Sequence, residues 1–149
     1  CKDGAPFPDW PPGTPPQQRL RDFIRVMMAR MLAIPRVSSM KLMTREMADP
    51  SSICSEAVRQ NIKPMADLLH GIFEELLPKV PLDRRWLIGF SVVGQCLYYR
   101  QNRAIIASLV GPDKAAHFDD AERLADHVTA FTFAALGLAD PVSEAYRKK

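Results

Sequence analysis

The chain has little of what catalysis usually requires. Its 149 residues include only three histidines and three cysteines. His70, His117 and His127 lack the spacing of zinc ligands, and His-Glu-x-x-His does not occur. There is no Gly-rich phosphate loop and no Gly-x-Ser-x-Gly nucleophile elbow. Arg45-Glu46 and Glu74-Glu75 carry groups fit for acid–base work. Neighbours on a helix diverge by about 100°, so neither pair presents two groups together, and both read as solvated or capping charges. His70, between Leu69 and Phe73, reads as a partly buried, satisfied histidine, with a polar pocket anchor as the sharper alternative. Catalysis therefore ranks last among the functions considered.

Charge of one sign is scarce too. With 20 basic and 17 acidic residues, the net charge is +3. That excess is too small and too scattered for nucleic-acid binding by this segment. Arg147-Lys148-Lys149 reads as a solvated tail. No apolar run reaches the ~20 residues that span a membrane. The first residues are Pro-rich and not apolar, unlike a signal peptide. Cys1, Cys54 and Cys96 are an odd number without metal spacing. Cys54 and Cys96 fall in helical patterns, as reduced core residues of a cytoplasmic protein do. No metal and no cofactor is implied. The chain does not begin with Met, so a preceding segment is expected.

Strand patterns are missing as well: no stretch alternates strictly, and the apolar period is helical throughout. Six of the thirteen prolines lie in the first sixteen residues, which predicts an extended linker over 1–13 and a helical domain over 14–146. The first helix is expected from Thr14 to Ala33, with Thr14 as cap, Pro15 in the first turn and Gln17 completing a capping box. Leu20, Phe23, Ile24, Met27, Met31 and Leu32 form its buried stripe. A shorter helix over Val37–Ala48 follows. The next is capped by Asp49, kinked at Pro64 and continued through Leu76. The last long helix is expected from Asp119 and ends at Gly137.

The segment from Trp86 to Tyr99 has no charge at all. At helical spacing Trp86, Phe90, Val93 and Leu97 form one apolar stripe, and Ile88, Val92, Cys96 and Tyr99 form another. A helix apolar nearly all round must be buried all round. One face then packs inside the subunit and the other against a second subunit, as in a helical homodimer. A shorter extension carries Ile105, Ile106 and Leu109 to Gly111-Pro112.

All seven methionines fall between Met27 and Met65. Methionine fills cores, which is the plainer reading, but it also lines adaptable binding surfaces. Met27, Met31, Met43, Met47 and Met65 come from three predicted helices. With Phe23, Leu69, Phe73 and Phe90 they make a candidate cavity for a hydrophobic or aromatic small molecule.

Leu42-Met-Thr-Arg-Glu-Met-Ala-Asp-Pro50 and Val92-Val-Gly-Gln-Cys-Leu-Tyr-Tyr-Arg100 together resemble the C-terminal regulatory domain of TetR-type transcriptional repressors, in the CecR-like branch. The resemblance spans about Thr14 to Leu138. It implies an all-α bundle of about six helices that binds an effector and dimerises through its last two long helices. Carried onto this chain, the interface would hold Phe90, Val93, Leu97 and Tyr98, then Val128, Phe131 and Ala135. Gly89 and Gly94 would let helices approach closely. The family's helix-turn-helix domain is absent from this chain, so operator DNA would be bound only through an upstream domain. The alternatives are a homodimerisation module without a ligand and, last, a small helical enzyme.

Overall fold

In the computed structural model, residues 7–33, 56, 60 and 62–142 are described, and every regular element among them is helical. Six α-helices occur in this part: α1 Pro16–Ala33, α2 Lys63–Leu76, α3 Leu82–Gln101, α4 Arg103–Val110, α5 Pro112–Ala115 and α6 Ala121–Ala135. A 3-10 turn, Ala116–Phe118, joins α5 to α6. The expected Val37–Ala48 helix and the Asp49 cap lie outside the described residues.

Helix α1 is central and packs on α2, α3 and α6. Leu20, Phe23, Ile24, Met27 and Met28 recur every three or four residues, and none is more than 1% exposed. The buried face is wider than the sequence stripe, because Met28 is inside while Met31 and Leu32 are only partly covered. Three helices surround α1, so residues on both flanks of the stripe find neighbours. Each such side chain contributes roughly 1.5–3 kcal/mol. Leu69, Ile72 and Phe73 of α2, Val92 and Cys96 of α3, and Leu124, Ala125 and Val128 of α6 complete the same core.

The start of α1 departs from expectation. The helix begins at Pro16, not Thr14. The Thr14 hydroxyl donates to the Pro11 carbonyl at 2.7 Å, and its N–H does so at 3.1 Å. Thr14 thus closes a turn over 11–14 and caps nothing. Residues 7–13 are also not a free linker. The Phe7 ring stacks on Phe23, with centroids 4.9 Å apart and planes 11° from parallel. The Trp10 Nε1 donates to Asp22 at 2.9 Å. Prolines keep this stretch extended, so its two aromatic rings dock with little further loss of chain entropy.

Pro64 lies in the first turn of α2, but Ile62 ahead of that turn is already αR (φ −88°, ψ −43°), so the proline does not stand at a free helix end. Gln60 and Ile62, just before it, have π-helical backbone, a widening that relieves the clash a proline makes with the preceding turn. Between α3 and α4 the chain breaks at Asn102 (φ −109°, ψ 19°), whose side-chain amide donates to the Tyr98 carbonyl at 3.1 Å. The extension expected beyond α3 is therefore a separate helix.

Helix α6 is capped one residue later than expected. The Asp120 carboxylate accepts from the N–H groups of Glu122 (3.0 Å) and Arg123 (3.2 Å). Asp119 instead pairs with the Arg103 guanidinium. At the other end Gly137 adopts φ 70°. Leu138 N–H donates to the Phe133 carbonyl at 2.8 Å and Gly137 N–H to Ala134 at 3.1 Å, a Schellman closure.

Asp120→Ala should lower the stability of the chain by about 1 kcal/mol, since two orphan N–H groups lose their acceptor. Chemical denaturation would measure this. An equal loss for Asp119→Ala and none for Asp120→Ala would return the cap to Asp119.

Candidate functional site

Helix α3 divides its apolar residues between two environments. Val92 and Cys96 are at most 1% exposed, and Ile88 and Tyr99 pack partly against the core. On the outer side Phe90 is 64% and Tyr98 50% exposed and Trp86 and Leu97 are half-buried, while Val93, expected there, packs partly against the core. Gly94 is exposed on the same helix, and a Cβ there would meet nothing within 4 Å. Gly89 is buried against Leu69 and Phe73, at distances a Cβ would tolerate (3.6 and 3.8 Å). Only Gly94 therefore lies on an open face.

Helix α6 continues the outer face. Phe131 is 49% exposed and Ala135 is exposed. Aromatic rings run from one helix to the other: Tyr98 meets Tyr99 edge-on at 5.9 Å, Tyr99 meets His127 at 6.5 Å, and His127 meets Phe131 at 6.4 Å. Val128 does not belong here. It is fully buried in the subunit, because residue 128 falls on the side of α6 that faces α1. The polar side chains of α3's outer turns are already satisfied. The Ser91 hydroxyl donates to the Leu87 carbonyl at 2.9 Å, and the Gln95 amide to the Ser91 carbonyl at 3.3 Å. Covering this face would leave those groups their partners.

The residues expected to hold a ligand are divided. Phe23, Met27, Leu69 and Phe73 lie together in the core, with Met31 and Met65 packed against it. Met43 and Met47 lie outside the described residues. Phe90 is not brought to them: it stacks on Trp86 at 5.8 Å on the exposed side of α3. Trp86 stacks in turn on His70 at 5.3 Å. The His70 Nε2 is buried without a hydrogen-bond partner among the described residues, contrary to the expectation of a satisfied histidine.

A cleft of about 470 Å³ opens where α3 ends, lined among others by Arg100, Arg103, Ile106, Phe118 and Asp119. Arg100 is buried and donates to the Met31 carbonyl at 2.7 Å, tying the end of α3 to the last turn of α1. Desolvation, and then the nearby Arg103 charge, hold its pKa below the usual arginine value. Arg100 is not among the site residues expected from the sequence. The signal was present, since Val92, Cys96 and Arg100 share one i, i+4, i+8 row. Cys96 itself is buried, and burial pushes its thiol up to about 12. Among the described residues no group of histidine, cysteine and carboxylate side chains could hold a metal ion. No described helix is long and apolar enough to cross a membrane.

The described part of the chain is all-helical, as an all-α regulatory domain of the TetR type is. Residues 16–136 match the family described as "HTH-type transcriptional dual regulator CecR, C-terminal domain", and the chain belongs to that family. It is a family of transcriptional regulator domains and not of enzymes. No curated protein and no solved structure matches the chain.

In a chain whose Cys1 and Cys54 are replaced by serine, Cys96 should react with a thiol reagent at pH 8 at least 100-fold more slowly than in denaturant, as a protonated, covered sulfur does (about two orders of magnitude). Comparable rates in both states would mean that Cys96 is exposed.

Proposed function

We propose that this chain is the ligand-sensing and homodimerising part of a cytoplasmic TetR-family repressor, with residues 14–146 as its folded unit. The observation that carries the reading is the exposed aromatic face on α3 and α6. Covering the exposed parts of rings such as Phe90 and Phe131 by a second copy would recover part of the roughly 1.5–3 kcal/mol that full burial of such a side chain contributes. Phe90, Val93, Leu97 and Tyr98 of α3 would meet their mates beside Phe131 and Ala135 of α6. Gly94 would let the two α3 helices approach. An obligate interface of this kind buries on the order of 2,000 Å² or more.

Dimerisation would serve DNA binding by an upstream helix-turn-helix domain. It would set two recognition helices about one DNA turn, ~34 Å, apart. A hydrophobic or aromatic effector held by Phe23, Met27, Met31, Met65, Leu69 and Phe73, with Met43 and Met47, would favour one arrangement of the body over another. Coupling of ~1–3 kcal/mol is typical of such switches. The close packing of Phe23, Met27 and Phe73, none more than 1% exposed, also supports a second reading: a homodimerisation module that senses nothing.

Phe90→Glu should leave the subunit folded, because the side chain is mostly exposed, yet weaken dimerisation by at least ~100-fold through an unpaired buried charge. Sedimentation equilibrium would show monomers at concentrations where the parent is dimeric. A variant dimer as tight as the parent would remove Phe90 from the interface. Native mass spectrometry of the purified chain should show a dimer carrying a small molecule that is lost on activation. A dimer that binds none of a panel of aromatic compounds would favour the module without a ligand.

A further inference from the structure

The stretch before α1 carries a device that lies outside the proposed dimer face and rests on one residue of the proposed effector set, Phe23. Phe7 lies between two partners, the Phe23 ring on one side at 4.9 Å and the Arg30 guanidinium at 4.1 Å from the Phe7 centroid. Three residues on, Trp10 is held by its bond to Asp22. The stretch ends in the turn closed by Thr14 on Pro11, within which Gly13 takes φ 85°, a conformation L side chains rarely adopt. Anchored at Trp10 and hinged at Gly13, the segment lies along α1 as a strap.

Its hold is reversible in kind. Phe7 and Trp10 pack against the core but are only half-buried, and the ring stack, cation–π contact and hydrogen bond that add to this packing are each modest. Pro8, Pro11 and Pro12 keep the strap extended whether or not it is docked, so little entropy separates the two states. Phe23, on which it rests, is itself a core residue clustered with Leu69 and Phe73. The ring that anchors the strap therefore belongs to the set an effector would disturb.

We propose that residues 7–13 form a strap docked through Phe7 on Phe23, which reports the packing state of the α1 core to the chain preceding residue 7. A core that turns or displaces the Phe23 ring removes the platform under Phe7. The strap then swings about Gly13 and frees Trp10 from Asp22. This rests on the proposed function only in taking Phe23 as a residue an effector reaches.

The test needs no effector. The chain has two tryptophans, so Trp86→Phe leaves Trp10 as the sole indole. In that background Phe23→Leu keeps an apolar side chain but removes the platform. It should raise acrylamide quenching of Trp10 about threefold, toward that of the denatured chain, with the far-UV spectrum unchanged. Trp10 as protected as in the parent would overturn the proposal. Should Phe23→Leu not fold, Phe7→Ala decides. It should speed amide exchange over residues 23–30 about tenfold, as local opening does, and exchange at the parent rate would overturn the proposal equally. A wild-type chain that binds no small molecule would sink the effector reading and leave the strap standing.

Discussion

Helix α3 carries apolar side chains on two faces, and a single subunit covers one. Val92 and Cys96 take the inner side, where α1 supplies Leu20, Phe23, Ile24, Met27 and Met28 as neighbours in one continuous core. The outer side is left with Phe90 and Tyr98, and α6 adds Phe131 beside them. The arrangement around α1 satisfies the first requirement and creates the second. With α2, α3 and α6 all turned toward α1, the opposite surfaces of α3 and α6 must face outward. Membership of a family of regulator domains supplies the context in which such a surface has a use.

Charge contributes little to holding this frame together. Arg19 pairs with Glu75, Arg25 with Glu122 at 2.9 Å, and Lys63 with Asp67 one turn along α2. Their carboxylates are largely exposed, and pairs of this kind contribute about 0–1 kcal/mol each. Arg100 differs because it is buried and bonded to the end of α1. Loss of a bond to a buried charge costs more than loss of an exposed pair, so the junction of α1 and α3 is less tolerant of change than the surface pairs. The cleft at that junction follows the open face of α3, whose last residue, Tyr98, is two residues before Arg100.

Much of this organisation was legible in the sequence because helical periodicity is a local property. The division of residues 86–99 into two stripes follows from spacing alone, and the structure turns Val92 and Cys96 inward and Phe90 outward, with Val93 packing partly on the core. Gly137 was legible as a stop because few residues other than glycine take φ 70°. Other features escaped. Thr14 and Asp119 both have the chemistry of a cap, but each is drawn to a different partner, Pro11 and Arg103. Asp120 takes the cap because its backbone is extended ahead of α6. The sequence pattern assigns Phe90 both to the ligand cavity and to the interface. The rotation of α3 about its axis puts its ring on Trp86, away from Phe23 and Phe73.

The sequence by itself determined that the chain is helical, where its apolar stripes run and that α3 has more apolar surface than one face can hide. These depend on residues within a few turns of one another. Tertiary structure alone decided that Val128 turns inward and Phe131 outward, that Arg100 reaches the Met31 carbonyl, and that Phe7 comes to rest on Phe23. Each of these joins residues of different elements or sets the rotation of a helix against its neighbours. That rotation is chosen by the packing of the whole core, to which no single segment's pattern is sufficient.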